Sequence, residues 1–215
     1  MASARAKFNP THGFVRRTFA CGVLAFAACF TSSASAHPFA IDQANDSIAS
    51  SFGFVLPFPG NDPLGQEFVP TLTALDVVEL RMNDQILGNG LGADVQVQVR
   101  DGSILGAILG ASGVESVVPS SPISIIHFDF GATVALTPGN TYVIEVLHLS
   151  GDAIGVFTTG ENANLYAAGD LIRGGVETPA HDLWFREGTQ IPAPGTLLLL
   201  AVGFLGVYVA RRRFR

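Results

Sequence analysis

Carboxylates are the residues of this chain that first invite chemistry. Asp76, Glu79, Asp129 and Glu145 each lie in a run of alternating apolar residues. Two such groups facing each other across a cleft are what acid–base cleavage of a glycosidic bond requires. No pair stands apart by spacing, and an acid in an alternating strand points outward to water by default. His127, His148 and His181 are far apart, without the H-E-x-x-H or related spacing of a metal site. His127 beside Asp129 makes at most a weak metal pair, and surface decoration is the default reading. Gly110-Ala111-Ser112-Gly113 lacks the G-x-S-x-G spacing and strand-turn-helix setting of a nucleophile elbow, and reads as a loop. Gly88-Asn89-Gly90-Leu91-Gly92 has neither a following helical pattern nor a basic residue, so it does not read as a phosphate cradle. No catalytic set is legible, and a non-enzymatic protein is expected.

Sugar binding asks for less: an exposed aromatic ring with polar groups beside it. Trp184 is the single tryptophan. Tyr166, in Asn164-Leu165-Tyr166, and Tyr142 are the other candidates. Trp184 and Tyr166 carry the alternative expectation of a carbohydrate-binding module. The competing reading is that these rings are core.

The elements that must position these residues are strands. Val95, Val97 and Val99 alternate with Asp94, Gln96, Gln98 and Arg100, and Phe128 and Phe130 alternate with His127 and Asp129. Thr137-Pro138-Gly139-Asn140 is a turn sequence between two apolar runs, which predicts a hairpin into Tyr142 to Leu149. Further strands are expected at 52–56, 73–82, 104–109, 154–157 and 183–185. No helical stripe persists over three turns, so the expectation is all-β, an antiparallel sandwich of jelly-roll type.

The ends differ from the middle in charge. Of 12 Lys+Arg, eight lie in the first 17 and last five residues, leaving Arg81, Arg100, Arg173 and Arg186 against all 18 Asp+Glu. The middle therefore carries a formal charge of −14 and no lysine, which disfavours nucleic acid and anionic lipid as partners. Near the start, Arg16-Arg17 precede an apolar run to Phe30 and then Ala34-Ser35-Ala36. That order describes an export signal cut by signal peptidase after Ala36, with Ala34 and Ala36 as its small residues. Cys21 and Cys29 would leave with it, so the mature chain would contain no disulfide or thiolate chemistry.

At the other end, Pro192 and Pro194 precede an uncharged run of 15 residues, Thr196 to Ala210, followed by Arg211-Arg212-Arg213. As a helix the run spans about 22 Å, short of the roughly 30 Å hydrocarbon layer, so a temporary membrane stop is favoured. The arginines keep the cytoplasmic side and the acidic middle lies outside. A permanent anchor behind a proline linker is the competing reading. The expected organisation is signal 1–36, sandwich domain 37–190 and tail 191–215, with the membrane helix at 196–210 and the basic cluster at 211–215.

Ile191-Pro192-Ala193-Pro194-Gly195-Thr196, the short Leu/Gly/Val run and Arg211-Arg212-Arg213 together resemble a PEP-CTERM sorting tail. Ala193 stands where that family most often has glutamate. The resemblance implies an exosortase as processing partner and transient insertion in the inner membrane. Delivery would be to the cell surface or exopolysaccharide matrix of a Gram-negative bacterium. Asp42-Gln43, Gly65-Gln66-Glu67-Phe68, Leu136 to Tyr142 and Asp182-Leu183-Trp184-Phe185 occur in an order similar to exported β-sandwich domains bearing such tails. Those domains resemble carbohydrate-binding jelly rolls. That likeness implies a structural calcium where the first and last strands meet, with Asp42 and Asp182 as ligands; no other cofactor is expected.

Overall fold

The computed structural model describes residues 38–47, 52–160 and 164–191. The expected signal peptide, with Ala34 and Ala36, and the tail beyond Ile191 lie outside these residues. So do the expected membrane helix and Arg211, Arg212 and Arg213.

Thirteen strands and no helix occur among the described residues. In chain order they are β1 Phe39–Asn45, β2 Gly53–Leu56, β3 Leu64–Phe68, β4 Ala74–Asp84 and β5 Ala93–Asp101. These are followed by β6 Ile108–Ala111, β7 Glu115–Val117, β8 Ser124–Ala135 and β9 Tyr142–Gly151. The last are β10 Ile154–Phe157, β11 Leu171–Arg173, β12 Val176–Thr178 and β13 Phe185–Gln190. All strand pairs are antiparallel. One sheet has the order β1-β13-β4-β10-β2, with β8 on the other edge of β4. The second runs β12-β11-β3-β9-β5-β6, with β7 beside β5.

Alternation explains why these segments are strands. Val95, Val97 and Val99 of β5 are fully buried, while Gln96, Gln98 and Arg100 face outward. In β8, Phe128 and Phe130 enter the core and His127 and Asp129 leave it. The inner faces join Leu80, Met82, Ile144, Val146, Ile154 and Phe185 into one apolar core. Removing such side chains from water is the main favourable term in holding the sheets together. The turn at Thr137–Asn140 forms, with Asn140 N–H donating to Thr137 O at 3.2 Å and Gly139 supplying the left-handed φ of 83°. The expected hairpin is corrected: β8 pairs with β4 in one sheet and β9 with β3 and β5 in the other, so the turn carries the chain from sheet to sheet.

The expected strand at 104–109 is corrected. Gly106 N–H donates to Ser103 O at 2.8 Å, closing a turn, and the strand starts only at Ile108. A Cβ on Gly106 would sit 1.7 Å from Asp101 O, so the chain doubles back too tightly for a ladder there. Gly110 and Ala111, read as loop, belong to β6, where Gly110 lets the strand approach Val134 of β8. The expected strand at 183–185 is also shifted. Leu183 makes only an isolated bridge to Thr158, and the ladder begins at Phe185.

Candidate functional site at the end of the last strand

β13 carries the candidate site because it is the strand that leads out of the sandwich. Phe185 and Glu187 point inward, and Arg186 and Gln190 lie on the outer face. Register places Glu79 of β4 between His127 of β8 and Arg186 of β13. The result is a row of ionisable side chains across β8, β4 and β13. His127 Nδ1 lies 3.2 Å from Glu79 Oε1, and Arg186 Nη1 donates to Glu79 Oε2 at 3.4 Å. Arg186 Nε donates to Asp46 Oδ2, just beyond β1, at 3.0 Å. His127 Nε2 is 3.3 Å from Asp129 Oδ1 but makes no hydrogen bond, and the ring rests edge-on against Phe39 at 5.8 Å.

One step toward the strand end, two aspartates hold Gln190. Its amide Nε2 donates to Asp129 Oδ1 at 2.6 Å, and its backbone N–H donates to Asp76 Oδ2 at 3.2 Å. Thr133 Oγ1 fixes the other oxygen of Asp76 at 2.7 Å. The next residue is also held, since Ile191 N–H donates to Pro38 O at 3.2 Å. Hydrogen bonds to ionised acceptors are the stronger kind. The first residues of β1 and the last of β13 are thus joined, with Phe39 opposite Gln190.

Three of the four carboxylates singled out in sequence, Asp76, Glu79 and Asp129, therefore share one face with His127. Glu145 belongs to the other sheet, where it pairs with Arg100. The acids are occupied by partners within the fold: Asp76 by Thr133 and Gln190, Glu79 by His127 and Arg186, and Asp129 by Gln190. Burial first, and then the negative charge of Asp129, raise the Glu115 carboxyl near this row. Among the described residues no group of three or more His, Cys, Asp and Glu is arranged to hold a metal.

A second polar cluster lies between the sheets. Asp182 is fully buried and accepts from Leu165 N at 2.6 Å, Tyr166 N at 2.9 Å and Gln66 Nε2 at 3.2 Å. Burial raises its carboxyl pKa despite those donors. Asp42 accepts from Thr71 N at 2.8 Å, Leu72 N at 2.9 Å and the Thr71 hydroxyl. Burial opposes ionisation of Asp42, but these hydrogen bonds hold it below the ordinary carboxylate range. Asp42 and Asp182 act as clamps on adjoining loops in this fold. Glu187, which sequence reading did not single out, is fully buried with neither oxygen hydrogen-bonded in regular geometry. Burial, then the neighbouring Asp42 charge, push its carboxyl up to about 8. Its position in Phe185-Arg186-Glu187, on the Phe185 side of the strand, was the available signal.

The aromatic candidates both lie in the core. Trp184 is 1% exposed and lies beneath Arg186, whose guanidinium carbon is 5.0 Å from the ring centroid. Tyr166 is 8% exposed; its hydroxyl donates to Gln43 Oε1 at 3.1 Å and accepts from Val69 N at 3.3 Å. Its ring packs edge-on against Phe185. Neither ring offers a stacking face to a sugar.

Comparison with known families gives the end of β13 its meaning. The family model described as the PEP-CTERM protein-sorting motif matches residues 190–213. The match begins on Gln190, the last residue of the sandwich, and spans Pro192, Ala193, Pro194 and Arg211, Arg212 and Arg213. The motif marks an exported precursor that is anchored in a membrane before processing by an exosortase. No curated protein matches the chain.

Proposed function

We propose that this is a non-enzymatic exported protein whose all-β domain, of jelly-roll type, is carried to the cell surface or exopolysaccharide matrix of a Gram-negative bacterium. Signal peptidase removes residues 1–36. The tail is held briefly in the inner membrane and is cut near Pro192 to Pro194. The single observation that supports this most is the sorting-motif match, which starts on the final residue of the sandwich. A lysine-free middle of formal charge −14 suits a domain dispersed outside the membrane. A carbohydrate-binding role is not favoured, because Trp184 and Tyr166 are core.

Topology tests the proposal. A protease site inserted at the exposed Gly88–Gly90 turn should be cut when protease is added outside the inner membrane of the native host. Protection of that site until the cells are lysed would refute export.

A further inference from the structure

We infer that the folded domain masks the start of its own sorting motif, and that processing requires Gln190 and Ile191 to detach from Asp76, Asp129 and Pro38. This inference rests on the proposed exosortase processing and adds a control to it.

The motif match opens at Gln190, and Gln190 is still a strand residue. Three hydrogen bonds hold its first two residues: Gln190 Nε2 to Asp129, Gln190 N to Asp76 and Ile191 N to Pro38. Pro192 follows at once, and consecutive Cα atoms are about 3.8 Å apart. A cut at Pro192 to Pro194 therefore lies within about 12 Å of a backbone fixed in a sheet. Peptide recognition commonly lays an extended segment along an enzyme edge, using main-chain groups on both sides of the reacting bond. On the domain side the N–H groups of Gln190 and Ile191 are already taken. The Gln190 and Ile191 N–H groups point to Asp76 and to Pro38 O, and β1 lies alongside. Either the end of β13 peels away, or the enzyme meets the chain before β1 and β13 have paired. In both cases folding and processing compete for the same few residues.

Pulse-labelling in the native host tests this, following conversion of precursor to processed chain. A flexible Gly/Ser spacer of about six residues between Ile191 and Pro192 leaves the clamp intact but moves the cut clear of it. The double variant Asp76→Asn/Asp129→Asn weakens the clamp directly, and its melting curve shows whether the domain still folds. Both should convert at least about five-fold faster than the wild type, the factor set by one net hydrogen bond. Equal or slower conversion of the spacer chain would overturn the inference, because that chain keeps every contact of the domain. Absence of conversion in the wild type as well as the spacer chain would instead overturn the processing reading on which the inference rests.

Discussion

Glu187 is a fully buried carboxyl with no hydrogen bond of regular geometry, placed beside an ionised Asp42. Its cost follows from linkage. Unfolded, it titrates near its ordinary 4.5; folded, it titrates near about 8. Below 4.5 both states are protonated and this group costs no stability. As pH rises from 4.5 to about 8 the unfolded state loses its proton first, so stability falls across that window. At about 1.4 kcal/mol per pH unit, the loss is on the order of 5 kcal/mol once the folded pKa is passed. Asp182, Glu67 and Glu115 are raised by burial as well and act in the same direction. Denaturant titrations at pH 5 and pH 9 should show the wild-type domain weaker at pH 9, and Glu187→Gln should remove most of that difference. An unchanged difference in the variant would show that Glu187 is not the buried neutral acid described.

Strand-level behaviour centres on β1 and β13. Their close approach depends on Gly188, where a Cβ would lie 1.9 Å from Ala40 O. Gly188→Ala must therefore push β1 away, and a cost of about 1–3 kcal/mol is expected from overpacking. Gly131→Ala is the control, since a Cβ there meets nothing within 4 Å. Equal stabilities of the two variants would contradict the register of the terminal strands. The strands legible in sequence were those with one wet face, because Val95–Val99 and Phe128–Phe130 carry a clean period of two. β1 was not legible: its burial does not alternate, and its register shifts between Ile41 and Gln43. β3 was hidden because Gly65 and Gln66 are buried without looking apolar, Gln66 being held by Asp182. The clamp at Gln190 was hidden for a different reason. It joins residues 61 and 114 positions apart, and only the sheet order brings Asp76 and Asp129 to the strand end.

At the scale of the whole molecule, a sandwich domain that carries all the acid of the chain ends directly in a sorting motif. The motif was readable because a proline pair, a short apolar run and terminal arginines are local in sequence. The sandwich was readable only as a class, because its sheet order is set by long-range pairing. Trp184 and Tyr166 looked like ligand platforms only while their faces were unknown; packing turned both inward. The central claim is that the tail is a temporary device. Intact-mass measurement of the cell-associated protein from the native host tests it most directly. The account predicts a chain that begins at His37 and ends between Ile191 and Gly195. A mature chain that still carries Arg215 would contradict it.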